Sequence, residues 1–229
     1  MGHPAITAVA AAAPDKEGVS SLLAINLAVL LARRRRKVLL LDAGRPQACV
    51  AWGQARSRAR LRPQLKVISV RDTALDRQLH SFDHVIVDTG AAGNRAALHA
   101  FAAADVALVA RLAGQGDARC LPPLAAAVDS ARLSNPGLRV LCVTVGGETA
   151  PSFTALQRMR AFALRLGPAR VADTVLHLPA LRWGMGIPGQ CACDLPDSAG
   201  AEEMARLLPE LGAVPFKASW LSGWRPSVA

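Results

Sequence analysis

Short apolar runs alternate with longer amphipathic stretches along this chain of 229 residues. The runs are nearly continuous in Val, Leu, Ile and Ala, which is typical of parallel strands that are covered on both faces. They predict strands over 5–12, 37–41, 65–70, 84–87, 106–110, 139–143 and 174–178. The stretches between them have helical spacing and predict helices over 21–35, 73–80, 95–103, 122–133, 153–166 and 199–211.

This alternation predicts a doubly wound α/β fold, with a mostly parallel sheet and helices on both faces. We expect one domain over 1–212, followed by an aromatic and basic tail over 213–229. Ligands of such sheets bind at the carboxyl ends of the strands. The loops after Ala12, Leu41, Val87 and Ala110 are therefore the first places to look for chemistry.

Composition narrows the class of protein. Apolar residues make up 52% of the chain, which indicates a globular protein. No apolar run reaches the roughly 18–20 residues that span a bilayer, and the first residues lack the basic start of a signal peptide. The five cysteines are scattered and odd in number, so we expect free thiols and a cytoplasmic protein, with nucleoid or membrane association left open. A metal site at Cys191 and Cys193 is the weaker interpretation.

Positive charge is concentrated in one segment. Residues 33–66 contain eleven basic residues and one acidic residue, Asp42, and this excess of ten equals the net charge of the whole chain. Such a segment predicts a surface for nucleic acid or another polyanion. The alternative is a solvated helix end followed by an exposed arginine-rich connection. The candidate nucleic-acid residues are Arg56, Arg58, Arg60, Arg62 and Lys66.

Three blocks of sequence carry a family resemblance. They are LLAINLAVLLARRRRKVLLLDAGRPQACVAWGQAR (22–56), FDHVIVDTGAAGNRAALHAFAAADVALVARLAGQGD (82–117) and LRWGMGIPGQCACDLPDSAGAEEMARLLPEL (181–211). In order and spacing they resemble the ParA/MinD group of deviant P-loop ATPases, and in length the chain is similar to the small plasmid-partition ParA type. The resemblance implies a P-loop NTPase-like fold, ATP or ADP with Mg²⁺ as cofactor, and a dimer.

The phosphate loop departs from that family's pattern, K-G-G-x-G-K-[ST]. The second lysine of the pattern neutralises phosphate charge, and the hydroxyl after it holds Mg²⁺. A gap-free alignment places that lysine on Ser20, the hydroxyl on Ser21 and the family's first, signature lysine on Asp15. One deletion would instead place Lys16 on the signature position and Gly18 on a glycine. In both alignments the phosphate-binding lysine is missing.

Two carboxylates of the pattern remain. Asp42 matches the first aspartate of the family's D-x-D-P-Q loop, whereas Gly44 replaces the second, and Asp88 matches the metal-side aspartate after a buried strand. The resemblance implies that Ser21, Asp42 and Asp88 hold Mg²⁺ if a nucleotide binds, and that Arg182 lies near its base. The alternative is that both aspartates are inherited fold residues that form hydrogen bonds in loops at strand ends.

The tail carries aromatic residues every four positions, namely Phe216, Trp220 and Trp224. On a helix they would form one aromatic face, suited to a membrane interface or a groove of a partner protein. The alternative is that they fold back onto the surface of the domain.

Together these features predict a ParA-like protein whose ATPase activity is lost or much reduced. We expect a scaffold or regulator in partition, transfer or positioning of a cellular machine, which binds nonspecific DNA or another acidic partner. It would form a homodimer, or a heterodimer with an intact homologue, and would bind no nucleotide if the loop is fully degenerate. One alternative is an active ATPase that uses Lys16 in an unorthodox loop. The other is a MinD-like accessory protein of a secretion or cellulose-synthesis complex.

Overall fold

A computed structural model describes residues 3–13, 17–70, 79–116, 119–182 and 186–212. Its sheet has seven strands, all parallel, in the order β3-β2-β4-β1-β5-β6-β7. The strands are β1 (Ala5–Ala11), β2 (Val38–Asp42), β3 (Lys66–Ser69), β4 (His84–Ala91), β5 (Val106–Leu112), β6 (Arg139–Gly146) and β7 (Ala169–His177). The central strands are buried along nearly their whole length because helices cover both faces.

Seven α-helices connect and cover the strands within the described residues. They are α1 (Glu17–Arg33), α2 (Ala48–Arg58), α3 (Arg95–Ala103), α4 (Leu121–Ser134), α5 (Phe153–Leu164), α6 (Leu178–Arg182) and α7 (Ala199–Gly212). Helices α1, α2 and α7 pack with one face of the sheet, and α3, α4 and α5 pack with the other. Short 3₁₀ turns lie at Leu79–Ser81 and Ala192–Asp194. No described helix has the length and apolar character needed to cross a bilayer.

The predicted α/β fold class is confirmed, and most predicted elements match within a few residues. The helix predicted over 73–80 lies mostly outside the described residues. Strand β7 begins at Ala169, earlier than the predicted residue 174. This strand lies at the edge of the sheet, so half-exposed and exposed positions interrupt its apolar pattern.

The alternative of an exposed arginine-rich connection after β2 holds only in part, because Arg58, Arg60 and Arg62 are exposed but residues 48–58 form helix α2. Arg56 fixes this helix to the rest of the protein and is only 1% exposed. Its guanidinium forms a bidentate salt bridge with Asp194, with nitrogen–oxygen distances of 2.8 and 2.9 Å. It also donates to the carbonyl oxygens of Pro63 and Gly189 at 2.9 Å each and lies over the Trp52 ring.

Gly189 shows how closely α2 approaches the segment that leads to Asp194. Its φ is +83°, in the left-handed region, and a Cβ placed there would lie 2.2 Å from the backbone nitrogen of Arg56. Only glycine fits at this contact. The segment of Gly189 and helix α2 are therefore held together in two ways, by this backbone packing and by the buried salt bridge between Arg56 and Asp194.

We predict that Arg56→Ala lowers the free energy of unfolding by about 3–5 kcal/mol, because it leaves Asp194 as an uncompensated buried charge. Urea denaturation followed by tryptophan fluorescence measures the loss. The matched control is Arg58→Ala, two residues along α2, where the side chain is exposed and we expect a change within about 0.5 kcal/mol. Equal unfolding midpoints for the two variants would contradict this role of Arg56.

Candidate functional site

Two aspartates meet at the carboxyl edge of the sheet. Asp42 is the last residue of β2, and Asp88 lies directly opposite it in β4. Both side chains are 0% exposed. The sequence placed these residues after neighbouring strands, and the parallel register brings them together, as expected at this edge.

Donors from three segments converge on Asp88. Helix α1 places the Ser20 hydroxyl 2.6 Å from one carboxylate oxygen and the Ser21 hydroxyl 2.5 Å from the other. The Cys49 thiol lies 3.3 Å from the second oxygen, and the Gly90 amide donates to the first at 3.0 Å. Both oxygens of this carboxylate therefore accept from donors of the protein itself.

Asp42 is held by backbone amides. Gly44 donates to one of its oxygens at 3.1 Å, and Val50, in the first turn of α2, donates to the other at 3.0 Å. The pKa of Asp42 is raised, first because burial disfavours the ionised form and second because the Asp88 carboxylate repels it. A Cβ at Gly44 would lie 3.5 Å from an oxygen of Asp42 and 3.7 Å from one of Asp88. The aspartate of the family pattern would thus add a third carboxyl group here.

Cys49 is the member of this cluster that the sequence did not reveal. It lies in the first turn of α2, and its thiol is buried between Ser21 and Asp88. Burial, followed by the nearby charges of Asp88 and Asp42, raises the pKa of this thiol well above its ordinary value. We conclude that Cys49 is a neutral hydrogen-bond donor. A helix starting after residue 47 would have placed it at the carboxyl edge, but that helix was not predicted.

Of the other three predicted cofactor-binding residues, the structure describes Gly18 and Arg182. Lys16 lies outside the described residues. Gly18 lies in the first turn of α1, which begins at Glu17, and not in a loop before the helix. Arg182 ends α6 and is exposed. Because α6 follows β7 directly, Arg182 lies on the carboxyl-edge side of the sheet.

The oxygen ligands of this cluster are of the type that Mg²⁺ prefers, but their placement does not fit a magnesium nucleotide. Asp42 and Asp88 are fully buried, and the Ser21 hydroxyl is directed at Asp88. No lysine or arginine of the described ranges pairs with either carboxylate. The cluster is therefore acidic where a phosphate-binding site is basic.

The candidate nucleic-acid residues are placed elsewhere. Arg58, Arg60, Arg62 and Lys66 are exposed near the end of α2 and the start of β3, which is the amino edge of the sheet. Arg56 must be removed from this group, because its guanidinium is buried in the salt bridge with Asp194. Lys66 also lies over the Phe82 ring, at 5.9 Å.

Three further predictions concern the cysteines and the tail. All five cysteines are free, as expected, and all five are buried. Burial raises the pKa of Cys193 to about 12 and that of Cys191 still further, and the described residues contain no group of three metal-ligand side chains. Phe216, Trp220 and Trp224 lie outside the described residues.

Solved ParA and MinD proteins are similar in structure to this chain. A ParA family ATPase from Chlorobium tepidum matches with a TM-score of 0.59 and 13% identity, over 90% of this chain and 97% of that chain. McdA from Cyanothece, in a complex with ATP, gives 0.66 and 14%, over 96% and 100%. MinD in the MinC–MinD cell division complex of Aquifex aeolicus gives 0.62 and 13%, over 94% and 98%.

No protein-family model matches the chain, and comparison with curated protein sequences gives no match either. The structural likeness therefore establishes a P-loop NTPase-like fold of the ParA/MinD kind over most of the chain. At 13–14% identity it leaves the chemistry to be argued from the residues of this chain.

We predict that Asp88→Ala lowers the free energy of unfolding by about 3 kcal/mol, because the Ser20 and Ser21 hydroxyls and the Gly90 amide lose their buried acceptor. Urea titration measures the loss. Asp129→Ala removes an exposed carboxylate from the middle of α4 and should change the stability by less than about 0.5 kcal/mol. If Asp88→Ala is no less stable than this control, the hydrogen bonds to Asp88 do not hold the carboxyl edge together.

Proposed function

We propose that this chain is a ParA/MinD-like scaffold with little or no ATPase activity, and that it binds DNA or another polyanion at the amino edge of its sheet. The proposed role is in partition, transfer or positioning of a cellular machine. The proposal that the chain binds a polyanion rests on one observation: two helices end with an arginine at a position where the backbone favours glycine. The proposal that ATPase activity is lost rests on the hydrogen bond of Ser20.

The loss of hydrolysis follows from charge. Ser20 stands where the family pattern has the phosphate-binding lysine, and its hydroxyl donates to Asp88 at 2.6 Å. A cation at that position stabilises the charge that develops on the transferred phosphoryl group. A neutral hydroxyl engaged with a carboxylate supplies no such charge, and the buried pair of Asp42 and Asp88 repels phosphate.

The first of these arginines lies at the C-terminal end of α1. The amide of Arg36 donates to the carbonyl of Leu31 at 3.1 Å, and the amide of Arg35 donates to that of Ala32 at 3.0 Å. These are the two hydrogen bonds of a Schellman motif, in which the residue after the cap takes a left-handed conformation. That residue is Arg35, with φ of +62°.

The end of α2 repeats this arrangement. The amide of Leu61 donates to the carbonyl of Arg56 at 3.2 Å, and the amide of Arg60 donates to that of Ser57 at 3.1 Å. The left-handed residue is Arg60, with φ of +54°. Glycine is the usual residue at this position, and a residue with a Cβ costs roughly 1 kcal/mol there. Two such arginines at equivalent positions favour a role for their side chains.

The C-terminal ends of α1 and α2 lie at the same edge of the sheet. Helices α1 and α2 pack on one face of the sheet, and each runs from the carboxyl edge back to the amino edge. Their ends expose Arg34, Arg35, Arg58, Arg60 and Arg62, and none of these forms a side-chain hydrogen bond or salt bridge with a described residue. Free guanidinium groups at one edge suit the phosphates of a nucleic acid.

Cofactor and assembly remain part of the proposal. If ATP or ADP binds with Mg²⁺, as ATP does in the McdA structure, it needs a cation from outside the described residues, and Lys16 is the candidate in the sequence. A homodimer, or a heterodimer with an intact homologue, is the proposed state. A protein partner is supported by the likeness to MinD, which binds MinC in the structure cited above.

We predict that the purified chain releases phosphate from Mg²⁺–ATP no faster than its Asp42→Asn variant does, because no cation is positioned to stabilise the transition state. Steady-state phosphate release measures the two rates, with Asp129→Asn as the control for loss of an exposed carboxylate. Magnesium-dependent turnover that Asp42→Asn abolishes and Asp129→Asn preserves would refute the loss of hydrolysis and favour the alternative loop with Lys16.

We predict that Arg60→Gly changes stability and binding in opposite directions. Relief of the left-handed backbone should raise the free energy of unfolding by about 1 kcal/mol. Loss of one phosphate contact should weaken binding to duplex DNA and reduce the slope of log K against log salt by about 1. Urea denaturation and fluorescence anisotropy at several salt concentrations measure the two effects.

The matched control is Arg165→Gly, which removes an exposed arginine from the end of α5 on the other face of the sheet. Arg165 has φ of −80°, so glycine should lower the stability there and leave DNA affinity unchanged. If Arg60→Gly and Arg165→Gly weaken DNA binding equally, the interaction depends only on net charge. If neither changes it and the chain does not bind DNA at low salt, the basic edge serves another acidic partner.

A further inference from the structure

A pocket of about 580 Å³ opens at the amino edge of the sheet, at the starts of β5, β6 and β7. Asp42 and Asp88 lie at the opposite edge, so this pocket is separate from the candidate nucleotide site. Its volume falls within the range of small-molecule sites, roughly 300–1,000 Å³. Its apolar lining consists of Val106, Pro136, Leu138, Val140, Leu141 and Pro168.

Four charged residues complete the lining, namely Arg132, Arg139, Arg170 and Glu210. Three of them are tied to the backbone. Arg132 donates to the carbonyls of Leu166 and Pro168 at 2.6 and 2.9 Å, and Arg139 donates to that of Leu211 at 3.0 Å.

The Glu210 carboxylate accepts from the amides of Asp173 and Thr174 at 2.8 and 3.0 Å. These contacts hold Arg132, Arg139 and Glu210 in place around the pocket. The wall is therefore formed before any ligand arrives, which lowers the entropic cost of binding.

Arg170 differs from these three residues. It is exposed and forms no side-chain hydrogen bond or salt bridge with a described residue. Its charge acts on its neighbour, because the pKa of Arg139 is lowered by burial first and by Arg170 as well, while Asp105 acts in the opposite direction. Arg139 and Arg170 are thus two like charges that line the same pocket.

We propose that this pocket binds a small organic acid, with the apolar body among the strand starts and the carboxylate between Arg139 and Arg170. An anion fits the charge balance, because three arginines and a single carboxylate, that of Glu210, line the pocket. The carboxylate accepts hydrogen bonds from Arg170 and relieves the repulsion between the two guanidinium groups. The apolar body gains the free energy of leaving water.

The test uses the full chain and three probes in isothermal titration calorimetry: decanoate, decanol and acetate. Decanoate should bind at least about tenfold more tightly than either of the others, because it alone combines the charge with the apolar body. Equal affinity for decanol would mean that the arginines do not select the ligand and would overturn the proposal. Equal affinity for acetate would mean that the apolar wall does not contribute, with the same consequence.

Arg170→Gln should weaken decanoate binding about tenfold and leave decanol binding within about twofold. Arg170 is exposed, so the variant is expected to fold. Arg158→Gln, which removes an exposed guanidinium from α5 outside the pocket, should change neither affinity. Equal losses in both variants would overturn the assignment. A rise in decanoate affinity in Trp220→Ala/Trp224→Ala would also overturn it, because the tail would then be the occupant.

Discussion

Two buried carboxylates on adjacent strands, near the carboxyl edge of the sheet, impose the main physical constraint on this fold. Asp42 and Asp88 lie opposite each other with 0% exposure, and in such surroundings an unpaired charge is expensive. The donors that stabilise them come from the start of α1, from the first turn of α2, and from the backbone after β2 and within β4. The pair therefore connects the segments that meet at the carboxyl edge. A lysine at position 20 could neutralise the pair as well, but Ser20 satisfies Asp88 without leaving a positive charge for a phosphate.

The two edges of the sheet have opposite character. Acidic and hydroxyl groups gather at the carboxyl edge, whereas the exposed arginines of the α1 and α2 ends lie at the amino edge. Interaction with the helix dipole explains basic residues near a helix C-terminus. It does not explain Arg35 and Arg60 at left-handed positions, since an arginine one residue earlier would gain the same interaction without the backbone strain. The proposed polyanion would supply the missing reason, because it gains most from guanidinium groups that project beyond the last turn.

The fold was largely predictable because buried parallel strands have an apolar pattern that needs no knowledge of distant residues. Helix α2 was not predictable in this way. Its buried face consists of Cys49, Trp52 and Arg56, and an arginine in a sequence normally indicates an exposed position. Its partner Asp194 is 138 residues away in sequence. The same limit applies to the site. The sequence brought Ser20, Ser21, Asp42 and Asp88 to one edge, but the direction of the Ser20 hydroxyl and the approach of Cys49 depend on how α1 and α2 pack.

The retained carboxylates also define what kind of ligand the carboxyl edge favours. Two hydroxyls, a thiol and an amide donate hydrogen bonds to Asp88. Asp42 accepts from two backbone amides, yet its pKa is still raised by burial and by Asp88, so both impose a cost on its charged form. A positive charge that reached this edge would relieve that cost, whereas a phosphate would increase it. The polarity of the site is thus inverted relative to a phosphate-binding loop: it favours a cationic group, and a nucleotide could bind there only together with a cation that the described residues do not supply.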